Sequence, residues 1–170
     1  MSRRLARYDL TMRELSATAK SNRVRIRRAL PGDARELDGL YAQLRGRDYA
    51  SPGTAKMRRA IRALARERDQ TLLVAVKDGR IVGTNHVLIF RHLGHGLRPA
   101  AIVENVVVDA DYRGAKIGEQ LMAEAVTIAR RHNCYKVSLT SNRKRRGAHR
   151  FYQRLGWRWT HLGYTLAPPE

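Results

Sequence analysis

Residues 104–122 read ENVVVDADYRGAKIGEQLM, and this stretch decides the fold. Its first part belongs to AAIVENVVVD at 100–109, a run so rich in β-branched residues that it reads as a buried strand. Its last part opens a helix that runs to about His132, with Ile117, Leu121, Ala125 and Ile128 on one face. Between them stands the turn Arg113, Gly114, Ala115, Lys116, Ile117 and Gly118. A turn between a strand and a helix N-terminus presents unpaired backbone N–H groups and the positive end of the helix dipole, which together make an anion site. Arg113 adds a fixed cationic fork, Gly114 and Gly118 allow close backbone approach, and the Lys116 amine stands within reach of a phosphate. The same glycines also suit a tight connection needed for steric reasons alone, and the turn by itself does not choose between the two.

Downstream, YKVSLTS at 135–141 reads as a second strand. Strand, helix and strand in about forty residues form a βαβ unit, so the two strands should be parallel neighbours joined by a right-handed crossover. Ligands favour the carboxyl ends of such strands. Upstream, TLLVAV and IVGTNHVLIF flank KDGR, and Asp78–Gly79 supplies a hairpin turn that continues the sheet antiparallel. Farther back, VRIRRAL from Val24 alternates as a strand, Asp33 stands where it can cap a helix from Ala34 to about Leu44, and a second helix is expected from Thr54 to Arg68 on Met57, Ile61 and Leu64. The C-terminal part offers a helix from about Gly147 to Leu155, stopped by Gly156, and then WRWTHLGYTL as one or two closing strands. Residues 1–22, with Arg3, Arg4, Arg7, Arg13 and Lys20, read as a basic tail or loosely docked helix, leaving 23–170 as the single domain.

The 170 residues, 43% hydrophobic, suit one globular domain. No apolar run approaches a membrane span and MSRRLARYDL lacks the apolar core of a secretory signal, so a cytoplasmic protein is expected. Cys134 is the sole cysteine, which removes internal disulfides and cysteine metal clusters. His92 and His95 lack a third ligand, and no metal is expected. The net charge of +19 calls for an acidic partner. Six of the 34 basic residues are lysine, an imbalance that base composition of the genome can also produce, and no zinc-finger spacing, RNA-binding aromatic strand or basic zipper accompanies the charge. Nucleic acid is therefore not the expected partner.

The segment 104–122 closely resembles the acetyl-CoA motif of the GNAT superfamily of N-acetyltransferases, whose pattern is an arginine or glutamine, two residues, a glycine, one residue, then glycine or alanine. Arg113 and Gly118 match, Gly114 is a common extra glycine, and Lys116 replaces the first glycine of the pattern, a departure without consequence if its φ stays helical. SNRKRRGAHRFYQRLGW at 141–157 resembles a second segment of the superfamily, an asparagine, then an alanine, then FYxxxGF. The resemblance covers about residues 24–166. It implies a mixed α/β fold, a central splayed β-sheet flanked by helices with acetyl-CoA between two parallel strands. It implies acetyl-CoA as cosubstrate and a primary amine as acceptor, and it leaves a homodimer open, since many relatives pair. Residues 140–157 and the sequel THLGY look most like small-molecule members, including aminoalkylphosphonate acetyltransferases. Aminoglycosides suit a basic chain less well.

A primary amine with a pKa near 10.4 is almost wholly protonated at neutral pH, so attack on a thioester needs a base. Glu104 sits in the strand before the turn, where a carboxylate is costly unless paired, hydrated or used. By resemblance it acts as base, often through water; the alternative is a strand anchor or an ammonium contact. The resemblance further implies that backbone N–H groups of Val106, Val107 and Val108 meet the acetyl carbonyl, that Asn142 bonds the pantetheine arm, and that Tyr152 serves the leaving thiol. His149 and His161 are further candidates for an acceptor pocket. The run Arg143, Lys144, Arg145 and Arg146 is either a solvated loop or a contact with coenzyme phosphates or an anionic acceptor.

Overall fold

The structure, a computed structural model, describes residues 23–166; the expected basic tail over 1–22 lies outside the described residues. Five strands form one sheet in the order β1 (Arg25–Arg28), β2 (Gln70–Lys77), β3 (Arg80–Phe90), β4 (Ala100–Val108) and β5 (Val137–Ser138). The first three pairings are antiparallel, and β4 and β5 are parallel. Helices α1 (Ala34–Arg45) and α2 (Thr54–Leu64) cover one face, while α3 (Ile117–Arg131) and α4 (Arg146–Arg154) serve the other.

This layering explains why TLLVAV shows no alternation. In β2, Leu72 and Val74 enter the core under α1 and α2, while Leu73 and Ala75 enter the core under α3. A strand covered on both faces must be apolar on both. The β2–β3 hairpin closes on Asp78 and Gly79, both at positive φ (51° and 77°) as a two-residue hairpin turn requires. Buried Asn85 ties the layers together, its amide donating to Leu121 O of α3 at 2.9 Å.

Four expectations change. Asp33 precedes α1 but its side chain makes no capping bond. Its carboxylate instead accepts a two-pronged bond from Arg27 (2.6 and 2.8 Å) and one from Leu30 N–H (2.7 Å). Burial raises its pKa, but these bonds outweigh burial and hold the carboxyl below its usual range. The second helix ends at Leu64 rather than Arg68 because Ala65–Arg68 carries no side chain for the core and is exposed. The strand expected at 135–141 shrinks to Val137–Ser138 because β4 and β5 diverge beyond that point. Residues 157–166 form no strand: Trp159, Leu162, Tyr164 and Leu166 are exposed, and the short β5 offers no regular edge to extend. Among the described residues no helix is long and apolar enough to cross a membrane.

Candidate active site

The divergence of β4 and β5 creates the site. Their ladder pairs Ala101 with Val137 and Ile102 with Ser138, and then stops. Three residues on, at Asn105, the backbone of β4 takes the left-handed conformation, φ 53°. The pairing with β3 shifts here: His86 faces Glu104 and Thr84 faces Val107, so Asn105 and Val106 together oppose the single residue Asn85. This is a β-bulge, which leaves the extra residue out of the ladder and bends its strand. Asparagine tolerates the left-handed region better than its β-branched neighbours do. The bulge also moves Val106 to the α3 side, while Val107 packs under α1.

Past the bulge opens a cavity of about 410 Å³. One wall is Glu104, Asn105 and Val106; the opposite wall is Thr140, Ser141 and Asn142, the continuation of β5. Tyr152 closes it from α4, with Lys144 and Arg145 just before that helix. Leu44, Arg45 and Asp48 close it from the end of α1. The α1 end is held in place by Gln43, whose amide donates to Asp109 Oδ2 (3.2 Å) and whose carbonyl accepts from Ala110 N–H (3.1 Å), just past β4.

Tyr152 is buried between Phe151 and Trp157, with ring centroids 5.2 and 6.3 Å away. Burial is the main reason that its phenol pKa is raised; Glu104 adds to the rise and Arg145 opposes it. Tyr152 therefore stays a proton-bearing donor across the physiological range. Glu104 is half-buried and makes no hydrogen bond or ion pair among the described residues. Arg45, Lys144, Arg145 and Asp48 likewise form no ion pair there. Asn142 is already engaged: its Oδ1 accepts from Lys144 N–H (2.9 Å) and its carbonyl lies 3.0 Å from His149 Nε2.

The turn Arg113–Gly118 lies outside the cavity lining, between the end of β4 and α3. Arg113, Gly114, Ala115 and Lys116 are exposed, and Ile117 is buried as the first core residue of α3. Lys116 does not keep a helical φ: at φ 57° and ψ 16° it is left-handed, so it occupies the conformation that explains a glycine in the usual pattern. Gly118 is needed for space, since a Cβ there would stand 3.0 Å from Phe151 Cζ.

The cavity thus brings together Glu104, Val106, Asn142 and Tyr152. It does not gather Val107 and Val108, which pair with Thr84 and Gly83 of β3. His149 faces Asn142 O and Trp159 rather than the cavity, and His161 is exposed. His92 and His95 pack on Tyr135, the His95 ring stacked at 3.9 Å. Sequence reasoning missed Leu44, Arg45, Asp48 and the Asn105 bulge. The sequence signal for the bulge is one asparagine inside a β-branched run; for the α1 residues there is none, because they reach the site only through packing of α1 on the sheet.

Residues 39–157 match the model of the acetyltransferase (GNAT) family. The chain belongs to this family. It is 41% identical over 80 residues to a glucosamine 6-phosphate N-acetyltransferase from Trypanosoma brucei brucei, covering 47% of this chain and 52% of that protein. It is 39% identical over 94 residues to an aminoalkylphosphonate N-acetyltransferase from Salmonella typhimurium, covering 55% and 60% respectively. The matches thus span little more than half the length of these curated relatives. Among solved structures, a putative acetyltransferase from Agrobacterium tumefaciens superposes with a TM-score of 0.78 at 30% identity, covering 85% of this chain and 99% of that one. The mixed sheet that opens between β4 and β5 is the GNAT fold expected from the sequence.

Proposed function

We propose that this GNAT chain transfers acetyl from acetyl-CoA to the primary amine of a small molecule, by direct attack in a ternary complex. The observation that carries the reading is the convergence of Glu104, the Val106 bulge and the buried Tyr152 on one cavity at the point where two parallel strands part. Both curated relatives are named for small amines that bear a phosphate or phosphonate. The residues fit acetyl-CoA: the exposed Arg113–Lys116 segment offers cations and turn N–H groups to the phosphates, and Gly118 keeps Cβ bulk out of the start of α3.

In this mechanism Glu104, directly or through water, takes the ammonium proton, and the freed nitrogen attacks the thioester carbonyl. The Val106 N–H donates to the oxyanion, a contribution on the order of 3 kcal/mol in comparable acyl transfer. The nitrogen loses its second proton as the carbonyl re-forms; collapse breaks the carbon–sulfur bond, and the departing sulfur, met by the Tyr152 O–H, takes up that proton through solvent and leaves as the thiol. A phenol that starts near pKa 10 and is raised further by burial gives its proton to a thiolate reluctantly, so the main role of Tyr152 is to hydrogen-bond the leaving sulfur. A cytoplasmic site of action is part of the same proposal. Asn142 contributes through its amide N–H to the pantetheine arm, since its Oδ1 is engaged.

The test is release of coenzyme A thiol from acetyl-CoA across a panel of small primary amines, with the acetylated amine identified by mass. Amine-dependent release supports the proposal. Binding of acetyl-CoA without release to any amine contradicts it and leaves a binding module; release only with peptide amines moves the acceptor to a protein.

A further inference from the structure

The cavity contains more charge than acetyl transfer itself needs. We propose that Arg45 is the residue that selects the acceptor, by holding a phosphate or phosphonate joined to its amine. This rests on the acetyltransferase reading above and specifies its acceptor.

Among the described residues the cavity lining carries the cations Arg45, Lys144 and Arg145 and the carboxylates Asp48 and Glu104, none of them in an ion pair. The lining keeps one net positive charge. A protonated amine with a simple carboxylate is neutral and leaves that charge unanswered. A phospho group near neutral pH carries about two negative charges, so an ammonium joined to it has about one net negative charge and balances the lining.

The three cations are not equivalent. Arg145 stands just before α4 and acts electrostatically on Tyr152, so it adds positive charge on the α4 side of the cavity. The Lys144 backbone is fixed by Asn142 on the same wall. Arg45 comes from the opposite direction, from the last turn of α1, which packs on the other face of the sheet from α3 and the Arg113–Gly118 turn. It is exposed and lies nearest in sequence to Asp48, yet the two form no ion pair. A guanidinium is suited to the task because its planar fork bonds two oxygens of a phospho group at once. With Glu104 on the β4 wall receiving the ammonium, Arg45 receives the anion at the α1 end, and the acceptor spans the cavity between them.

The test compares three amines of similar length: 2-aminoethylphosphonate, β-alanine and propylamine. In the wild-type protein kcat/KM should fall in that order. Arg45→Gln should lower the ratio of phosphonate to propylamine kcat/KM by about tenfold or more, mainly through KM, as loss of a charge-assisted bond requires. Arg45→Lys should restore part of it. Arg47→Gln, a neighbouring exposed arginine outside the cavity lining, should leave the ratio at its wild-type value. An unchanged ratio in Arg45→Gln, an equal shift in Arg47→Gln, or wild-type β-alanine turnover matching the phosphonate overturns the inference. If no amine releases thiol, the acetyltransferase reading fails, and calorimetric titration of 2-aminoethylphosphonate into the protein loaded with coenzyme A still decides the inference. Binding lost in Arg45→Gln supports it; binding absent in the wild type or unchanged in the variant overturns it.

Discussion

The turn Arg113–Gly118 and the cavity between β4 and β5 begin on the same strand, but they are built in opposite ways. The turn is contiguous in sequence and exposed, and it depends on backbone conformation. The cavity is assembled from four separate stretches, around Leu44, Glu104, Thr140 and Tyr152, and depends on how helices pack on a bulged sheet. Under the proposed function this difference is a division of labour in which the turn holds the coenzyme and the cavity carries the chemistry. A change in the turn should alter affinity for the coenzyme; a change at Glu104 or Tyr152 should alter turnover.

Tyr152→Phe should break the cavity's side of this division most strongly, lowering kcat about ten- to a hundredfold, as loss of a hydrogen bond to a developing negative charge does. Steady-state thiol release checks it, and unchanged turnover removes Tyr152 from the mechanism. Gly118→Ala should break the turn's side. Its new Cβ would crowd Phe151, an overpacking that costs about 1–3 kcal/mol, and the displaced helix start should raise the acetyl-CoA KM about tenfold with a smaller change in kcat.

Lys116→Gly should sharpen the comparison, because the two roles of that residue pull apart. Relief of the left-handed backbone should stabilise the fold by about 1 kcal/mol, seen as a higher melting temperature. Loss of the cation should weaken acetyl-CoA binding by about two- to fivefold. The smallest effect concerns pH. Since the Tyr152 phenol is raised, its donor form persists to higher pH than usual, so kcat/KM should climb as the amine deprotonates, with no loss from Tyr152 ionisation below about pH 10. A fall between pH 8 and 9 that Tyr152→Phe abolishes would contradict this.

The same contrast explains what the sequence made legible. The hairpin at Asp78–Gly79, the helix starting at Ile117 and the parallel pairing of β4 with β5 all follow from local pattern, and all are present. Tyr152 and Glu104 could be placed because each sits beside a motif. Arg45 and Asp48 could not: nothing in GLYAQLRGRD separates them from the many other charged residues until α1 is packed. Asp33 was misread for a related reason. Its position fits a helix cap, but Arg27, six residues back across a turn, competes for the carboxylate and wins with two bonds. The closing strands failed because alternation in WRWTHLGYTL supplies a strand's pattern without a paired edge to join, and pattern without hydrogen-bond partners does not make a sheet. Lys116 shows the converse, a residue with poor local preference held in a left-handed turn by the buried Ile117 that follows it.

Calorimetric titration of coenzyme A into the wild-type protein, Gly118→Ala and Tyr152→Phe tests the division of labour most directly. The account predicts that Gly118→Ala weakens binding about tenfold, in line with overpacking at that position, while Tyr152→Phe binds within about a factor of two of the wild type. Equal weakening by both variants, or weakening by Tyr152→Phe alone, would contradict it.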